Sequence, residues 1–486
     1  MPCLAQSGSD LASRIEAGDR KVALEMIRRN APVNEAQPDG TTPLHWAVYR
    51  VDEELVRELL ARGAKPDVLN AYGSSPLAEA ARVGNVNLVR SLLDAGADAN
   101  RSNEDGETPL MLASLTGVVK VAELLISRGA NVNAREHYRE QTALMWAAAE
   151  KHPEMVAFLI SKGAAVNVRA KTNDWQNQMT SEPRVQYRPS GGLTPLLYAA
   201  RDGCRDCAEA LLKGGADINL PNPDGMTPLM VAIDNSHFEV AQYLLDQGAN
   251  PHTWDWWGRT ALYVVVNMRG GSDSHPGPRP PASLNLVHAL LKRGANPNSQ
   301  LTMLHPSRNG NSGRFRDDLL TTGATPLLRA AQTFDNDVVR ALLENGALVD
   351  LPNVMGVTPL MAAAGIGTRT TASVLGPGPP EDVEVRSIET MEILIKAGAD
   401  VNARITDTTS LPARIARTST MTNREGQTAL FFATQQGRAS VVRFLMERGA
   451  SVHAMGDSGK ALVNAADKNE EVMALLRAAG LDRLPK

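Results

Sequence analysis

Apolar residues recur along this chain as pairs of short clusters, each pair opened by threonine and closed by glycine. The first cluster follows Thr-Pro-Leu or a close variant, beginning at Thr42, Ser75, Thr108, Thr142, Thr194, Thr227, Thr260, Thr325, Thr358 and Thr428. Where nothing intervenes the step is 33 residues, as from Pro43 to Pro76 to Pro109. The second cluster puts apolar residues at i, i+1, i+4 and i+5, as in Leu55-Val56-x-x-Leu59-Leu60 before Gly63-Ala64. That spacing gives a helix with a wide buried face. The threonine is a good N-cap, because its hydroxyl accepts a backbone N–H of the first turn. Proline fits the next position, where a missing donor is harmless. The glycine after the second cluster suits a left-handed helix end, and Asp-Gly before the threonine, as in Asp39-Gly40, is a tight-turn signal. The expectation is therefore turn, helix, turn, helix, loop, repeated.

Neither short helix can bury its apolar face alone, and stacking of neighbours solves this. The sequence Asp-Gly-x-Thr-Pro-Leu-x-x-Ala-Ala, a second helix and Gly-Ala-x-x-Asn runs almost unbroken from Asp105 to Asn133 and from Asp224 to Asn250. It resembles the ankyrin repeat, and the resemblance covers nearly the whole chain. It implies an all-α repeat solenoid of about twelve stacked repeats, each a helix-turn-helix with a finger loop. It also implies a non-enzymatic scaffold, without cofactor, that binds a protein partner on its concave finger and first-helix surface. The interrupted repeats are similar to those of bacterial ankyrin proteins. That likeness is compatible with a periplasmic or secreted location in a bacterium as well as a cytoplasmic one.

Breaks in the period divide the chain. Residues 1–9 read as a disordered N-terminus or the end of a signal peptide, since Cys3-Leu4-Ala5 before Gln6 has the small-x-small form of a cleavage site. Residues 10–38 read as an N-terminal capping repeat and 457–486 as its C-terminal counterpart. Between them, repeats are expected over 39–170, 191–301, 322–404 and 423–456. Insertions in finger loops are expected at 171–190, 302–321 and 405–422. Two more, at 270–283 and 367–386, separate the helices of one repeat. These two hold Gly277-Pro278-Arg279-Pro280-Pro281 and Gly376-Pro377-Gly378-Pro379-Pro380, which disfavour helix.

Composition narrows the function classes. A net charge of −4 over 486 residues argues against a dedicated nucleic-acid binder, which would be strongly basic. No apolar run, Ala261 to Val266 among them, approaches the roughly 20 residues of a membrane helix, so no membrane insertion is expected. The nine histidines include no i, i+4 pair of the kind that holds a metal on a helix, and no metal site is expected. Gly456-Asp457-Ser458-Gly459 matches a protease nucleophile motif by letters, but falls where a repeat needs a turn.

Three of the six tryptophans lie in Trp254-Asp255-Trp256-Trp257. Clustered aromatics are typical interface anchors. The resemblance places Trp254, Trp256 and Trp257 at partner-facing finger positions, with packing against neighbouring loops as the competing reading. A small ligand or glycan stacked on the three rings is a further alternative. By the same resemblance Tyr72 and Arg259 flank turn glycines at partner-facing positions. Tyr49, Arg50, Arg201, Asp202, Asp234, Asn235 and Met268 follow the first-helix alanine pair and outline the concave face. Arg314, Phe315 and Arg316 lie in a finger insertion and are of types enriched at interfaces. Cys204-Arg205-Asp206-Cys207 is a C-x-x-C. Cys207 takes the place of a buried valine such as Val56, so it reads as core, while a local disulfide or a redox pair are the alternatives.

Overall fold

A computed structural model describes residues 11–175, 188–270, 279–302, 322–366, 380–407, 424–455, 460–466 and 469–481. Each motif threonine, and Ser75 in its place, caps a helix. The side chains of Thr42, Ser75, Thr108, Thr142, Thr194, Thr227, Thr260, Thr325, Thr358 and Thr428 each accept the backbone N–H three residues on. The hydroxyl thereby satisfies one of the donors that every helix start leaves open.

The fold is an all-α repeat solenoid, and its contacts divide the chain into two units. One comprises residues 1–174 with 189–223. Its described helices form the pairs Leu11–Glu16 with Arg20–Arg28, Pro43–Tyr49 with Glu53–Ala61, and Pro76–Val83 with Val86–Asp94. Pro109–Thr116 with Val119–Ser127, Ala143–Ala149 with Pro153–Ser161, and Pro195–Asp202 with Arg205–Lys213 follow. First helices stack on first helices and second on second. Small residues permit the close approach: Ala80 and Ala81 are fully buried in the first helix of their repeat. Leu88, Val89 and Leu92 fill the layer beneath, each worth about 1.5–3 kcal/mol of burial.

The asparagine of Gly-Ala-x-x-Asn ties one repeat to the next. Asn100 donates to the Gly129 carbonyl at 2.9 Å and accepts from the Asn131 N–H at 2.7 Å. Asn133 does the same with Gly163 and Ala165, at 3.1 and 2.8 Å. Asn34 and Asn167 repeat the arrangement. A side-chain amide suits this place because it offers donor and acceptor at once. Asp67 stands where Asn would, and only accepts, from the Asp98 N–H at 3.0 Å.

Residues 171–190 are not wholly irregular, as the all-helical expectation had them. Thr172–Trp175 and Arg188–Gly191 pair as a two-stranded sheet. The Gly192 N–H to Lys171 and Ala170 N–H to Leu193 hydrogen bonds, 2.9 and 3.0 Å, continue the pairing at its base. An insertion that leaves and rejoins a repeat at neighbouring points brings its two ends side by side, and there they satisfy each other's backbone groups.

The other unit comprises 175–188 with 224–486. Its described pairs are Pro228–Asp234 with Phe238–Asp246, Ala261–Arg269 with Pro281–Lys292, Pro326–Gln332 with Asn336–Glu344, and Pro359–Ala363 with Pro380–Lys396. Ala429–Gln435 with Ala439–Glu447 and Lys460–Ala466 with Glu470–Leu476 complete it. Two second helices differ from expectation. They begin at Pro281 and Pro380, inside the stretches expected to lie wholly outside helix, and run 12 and 17 residues where the other second helix of that stretch, Asn336–Glu344, has 9. Proline opens rather than breaks them, because the first helical position needs no N–H. Where the first of these insertions departs, Arg269 is buried and clasps Asp335 with two bonds of 2.8 and 3.0 Å, and donates to Ser283 at 2.7 Å.

Candidate functional site

In the first unit a groove of about 810 Å³ opens between the fingers and first helices of consecutive repeats. The 33-residue register explains its make-up. Gln37, Asn70 and Asn103 form one column along it, and Thr41, Ser74 and Glu107 a second. Trp46, Glu79 and Leu112 form a third, with Tyr49 and Arg82 a fourth. Tyr72 projects from a finger tip and is 77% exposed, and Tyr49 is 57% exposed. No lining residue comes from the second helices of these repeats.

Hydrogen bonds hold this wall in place. The Trp46 indole N–H donates to Gln37 at 2.7 Å, and the Gln37 amide donates to Glu16 at 2.6 Å. Tyr49 stands edge-on to Trp46, three residues away on the same helix face, with ring centroids 5.7 Å apart. His45 joins two repeats. Its Nδ1 accepts the Thr42 N–H at 3.1 Å, so its Nε2 carries the hydrogen that reaches the Ser74 carbonyl at 3.0 Å. Burial pushes the His45 imidazole below its ordinary value, with the carbonyl of Ser74 opposing. It is therefore a neutral structural bridge. Tyr49 and Tyr72, expected on the partner-facing surface, meet here. Arg50 lies beside them and donates to the Glu16 carbonyl. Trp46, Glu79 and Arg82 were missed by the sequence reading, yet Glu79 and Arg82 follow Trp46 and Tyr49 by one period.

The tryptophan corner of the second unit divides. Trp254 and Trp256 are 66% and 51% exposed. Trp257 and Arg259, expected to face a partner, are instead buried. The Arg259 guanidinium lies 5.1 Å from the centre of the Trp257 ring and binds Asp255 through Nε at 2.6 Å. Asp255 also accepts the N–H groups of Trp257 and Arg259 at 3.0 and 2.9 Å. Burial pushes its carboxyl up, and Arg259 opposes that. The Trp257 carbonyl accepts the Thr302 N–H at 2.9 Å, so the chain before the next insertion lies against this turn. The arginine is committed to a carboxylate that has no access to water.

The remaining positions are half-buried and locally engaged. Arg201 stacks on Tyr198 at 4.7 Å and pairs with Asp202 at 2.7 Å. Asp234 lies 3.9 Å from Arg259, and Asn235 donates to the Val231 carbonyl at 2.9 Å. Met268 is half-buried on the first helix of its repeat. Cys204 caps the helix Arg205–Lys213, is joined to Cys207 by a disulfide, and both are buried. Arg314, Phe315 and Arg316, residues 1–9 and the turn 456–459 lie outside the described residues.

Family models agree with this architecture. One described as "Ankyrin repeats (3 copies)" matches residues 11–103, 95–170, 177–255 and 196–301. One described as "Ankyrin repeat" matches 322–354 and 425–457. Together the matches span more than half of the chain. No curated protein matches it.

Proposed function

The chain belongs to the ankyrin-repeat family, and on that premise we propose that it is a non-enzymatic scaffold that binds a protein partner in the groove lined by Trp46, Tyr49 and Tyr72. Ankyrin repeats are generally protein–protein interaction modules. The observation that carries the reading is the pair of exposed tyrosines above an ordered Trp46, in a cleft built from fingers and first helices. Trp46 is held by its bond to Gln37 and Tyr49 stands edge-on to it, so these rings lose little entropy on binding and supply much contact area. Stacked neighbours also fix the groove walls before any partner arrives.

Trp254 and Trp256 offer a second, separate contact surface. The stacked three-ring platform that a glycan or small ligand would use loses Trp257, which is buried beneath Arg259. Burial of both sulfurs favours a core role for Cys204 and Cys207 over exchange with a substrate thiol.

Selection of a random peptide library on the full chain tests the reading. Ligands recovered on the wild type are measured on a Tyr49→Ala/Tyr72→Ala variant that melts as the wild type does. The expectation is a loss of at least about tenfold, as for truncation of interface anchors. Equal affinity for both proteins would move the site out of the groove.

A further inference from the structure

We propose that the groove receives a basic segment of its partner, a loop or extended stretch rich in arginine or lysine; this rests on the groove being the binding site. Its lining carries four carboxylates, Glu16, Asp39, Glu79 and Glu107, against one guanidinium, Arg82. Arg82 is committed to Glu79, with its Nε 3.0 Å from Oε2. The other three make no ion pair among the described residues. Glu16 accepts from the Gln37 amide at 2.6 Å, Asp39 from the Thr41 N–H at 2.9 Å, and Glu107 from the Asn103 amide at 3.0 Å. All three donors are neutral, so they fix the carboxylates without cancelling their charge. The nearby Arg50 bonds the Glu16 backbone carbonyl. His45, at the floor, adds no positive charge because it bridges Thr42 and Ser74 as the neutral ring.

Charge and aromatic faces select the same occupant. A cleft lined by one sign of charge concentrates ligands of the other. The π-faces of Trp46, Tyr49 and Tyr72 attract cations, and arginine stacks on them as well. A guanidinium could therefore lay its plane on a ring and direct its N–H groups to a carboxylate. An acidic segment would meet repulsion from three uncompensated charges. A purely apolar one would desolvate them without return.

The test measures binding of labelled oligo-arginine, oligo-glutamate and Ser-Gly peptides of equal length to the full chain by fluorescence anisotropy. Two variants with the same change in net charge are compared. One is Glu16→Gln/Asp39→Asn/Glu107→Gln, in the groove. The other is Glu25→Gln/Glu58→Gln/Glu123→Gln, on the second helices. Oligo-arginine is expected to bind the wild type best and to weaken about tenfold in the groove variant, a size that three partly solvated charge contacts supply. The second-helix variant should retain wild-type affinity. Equal losses in the two variants, no preference for oligo-arginine over oligo-glutamate, or no binding would overturn the proposal. If library ligands depend on Tyr49 and Tyr72 but not on the three carboxylates, the basic occupant fails and the groove stands. If they depend on neither, the groove reading itself fails.

Discussion

Replacing Arg259 by alanine should destabilise its repeat without touching the groove. The Arg259 side chain is 6% exposed and that of Asp255 0%. The substitution removes the guanidinium 2.6 Å from Asp255 and leaves the carboxylate buried. Breaking such a pair from one side costs about 3–5 kcal/mol. The lower end applies here, because Asp255 keeps the backbone N–H groups of residues 257 and 259. Loss of the contact over Trp257 adds about 0.5–1 kcal/mol, and a total near 3–4 kcal/mol follows. A repeat array need not unfold in two states, so the loss is best read locally, as faster hydrogen exchange in the helix Ala261–Arg269. The pair Asp255→Asn/Arg259→Met removes both charges and keeps an acceptor for the two N–H groups, and should recover most of the loss. The pH adds a sign. Burial raises the Asp255 carboxyl, and without Arg259 less opposes it. The folded variant then binds more protons than its unfolded chain, so its deficit should shrink from about pH 7 to about pH 5. A loss below about 1 kcal/mol, or a double variant no better than the single one, would refute a buried, mutually dependent pair.

Other consequences follow from particular contacts. Asn133→Ala removes both bonds to the next repeat and should cost about 0.5–1.5 kcal/mol, while Asp67→Asn supplies a missing donor and should gain less than that, both read by urea denaturation. The depressed imidazole of His45 makes the neutral form the stable one, so stability from this residue is present above its unfolded value of about 6.5 and is lost as pH falls below it. Chemical denaturation at pH 7 and 5 should show that loss in wild type and not in His45→Leu. Alkylation of unfolded, unreduced protein should modify one of the three cysteines, Cys3, and reaction of all three would exclude the disulfide.

Helix starts were legible because a threonine cap depends on residues within one turn. The stacking of repeats was legible because the 33-residue period fixes which faces meet. Glu79 and Arg82 of the groove were equally legible, one period beyond Trp46 and Tyr49. A glutamate and an arginine on a helix face are ordinary surface residues, and only their columns mark them. Trp257 was not legible. Its burial depends on the Asp255–Arg259 pair and on Thr302, whose approach reflects how the longer repeat at 261–292 rejoins the array. Insertions break the register that makes neighbours readable, and there the sequence pattern ceases to say which face is covered.

The central claim is that a partner seats between the fingers and first helices of the first four helix pairs. Placing a photo-crosslinking phenylalanine analogue at Tyr72, on the groove, and in a second protein at Val22, exposed on a second helix, tests it with a selected peptide ligand. The account predicts a crosslink from position 72 and none from position 22. Crosslinking from 22 alone, or equally from both, would contradict it.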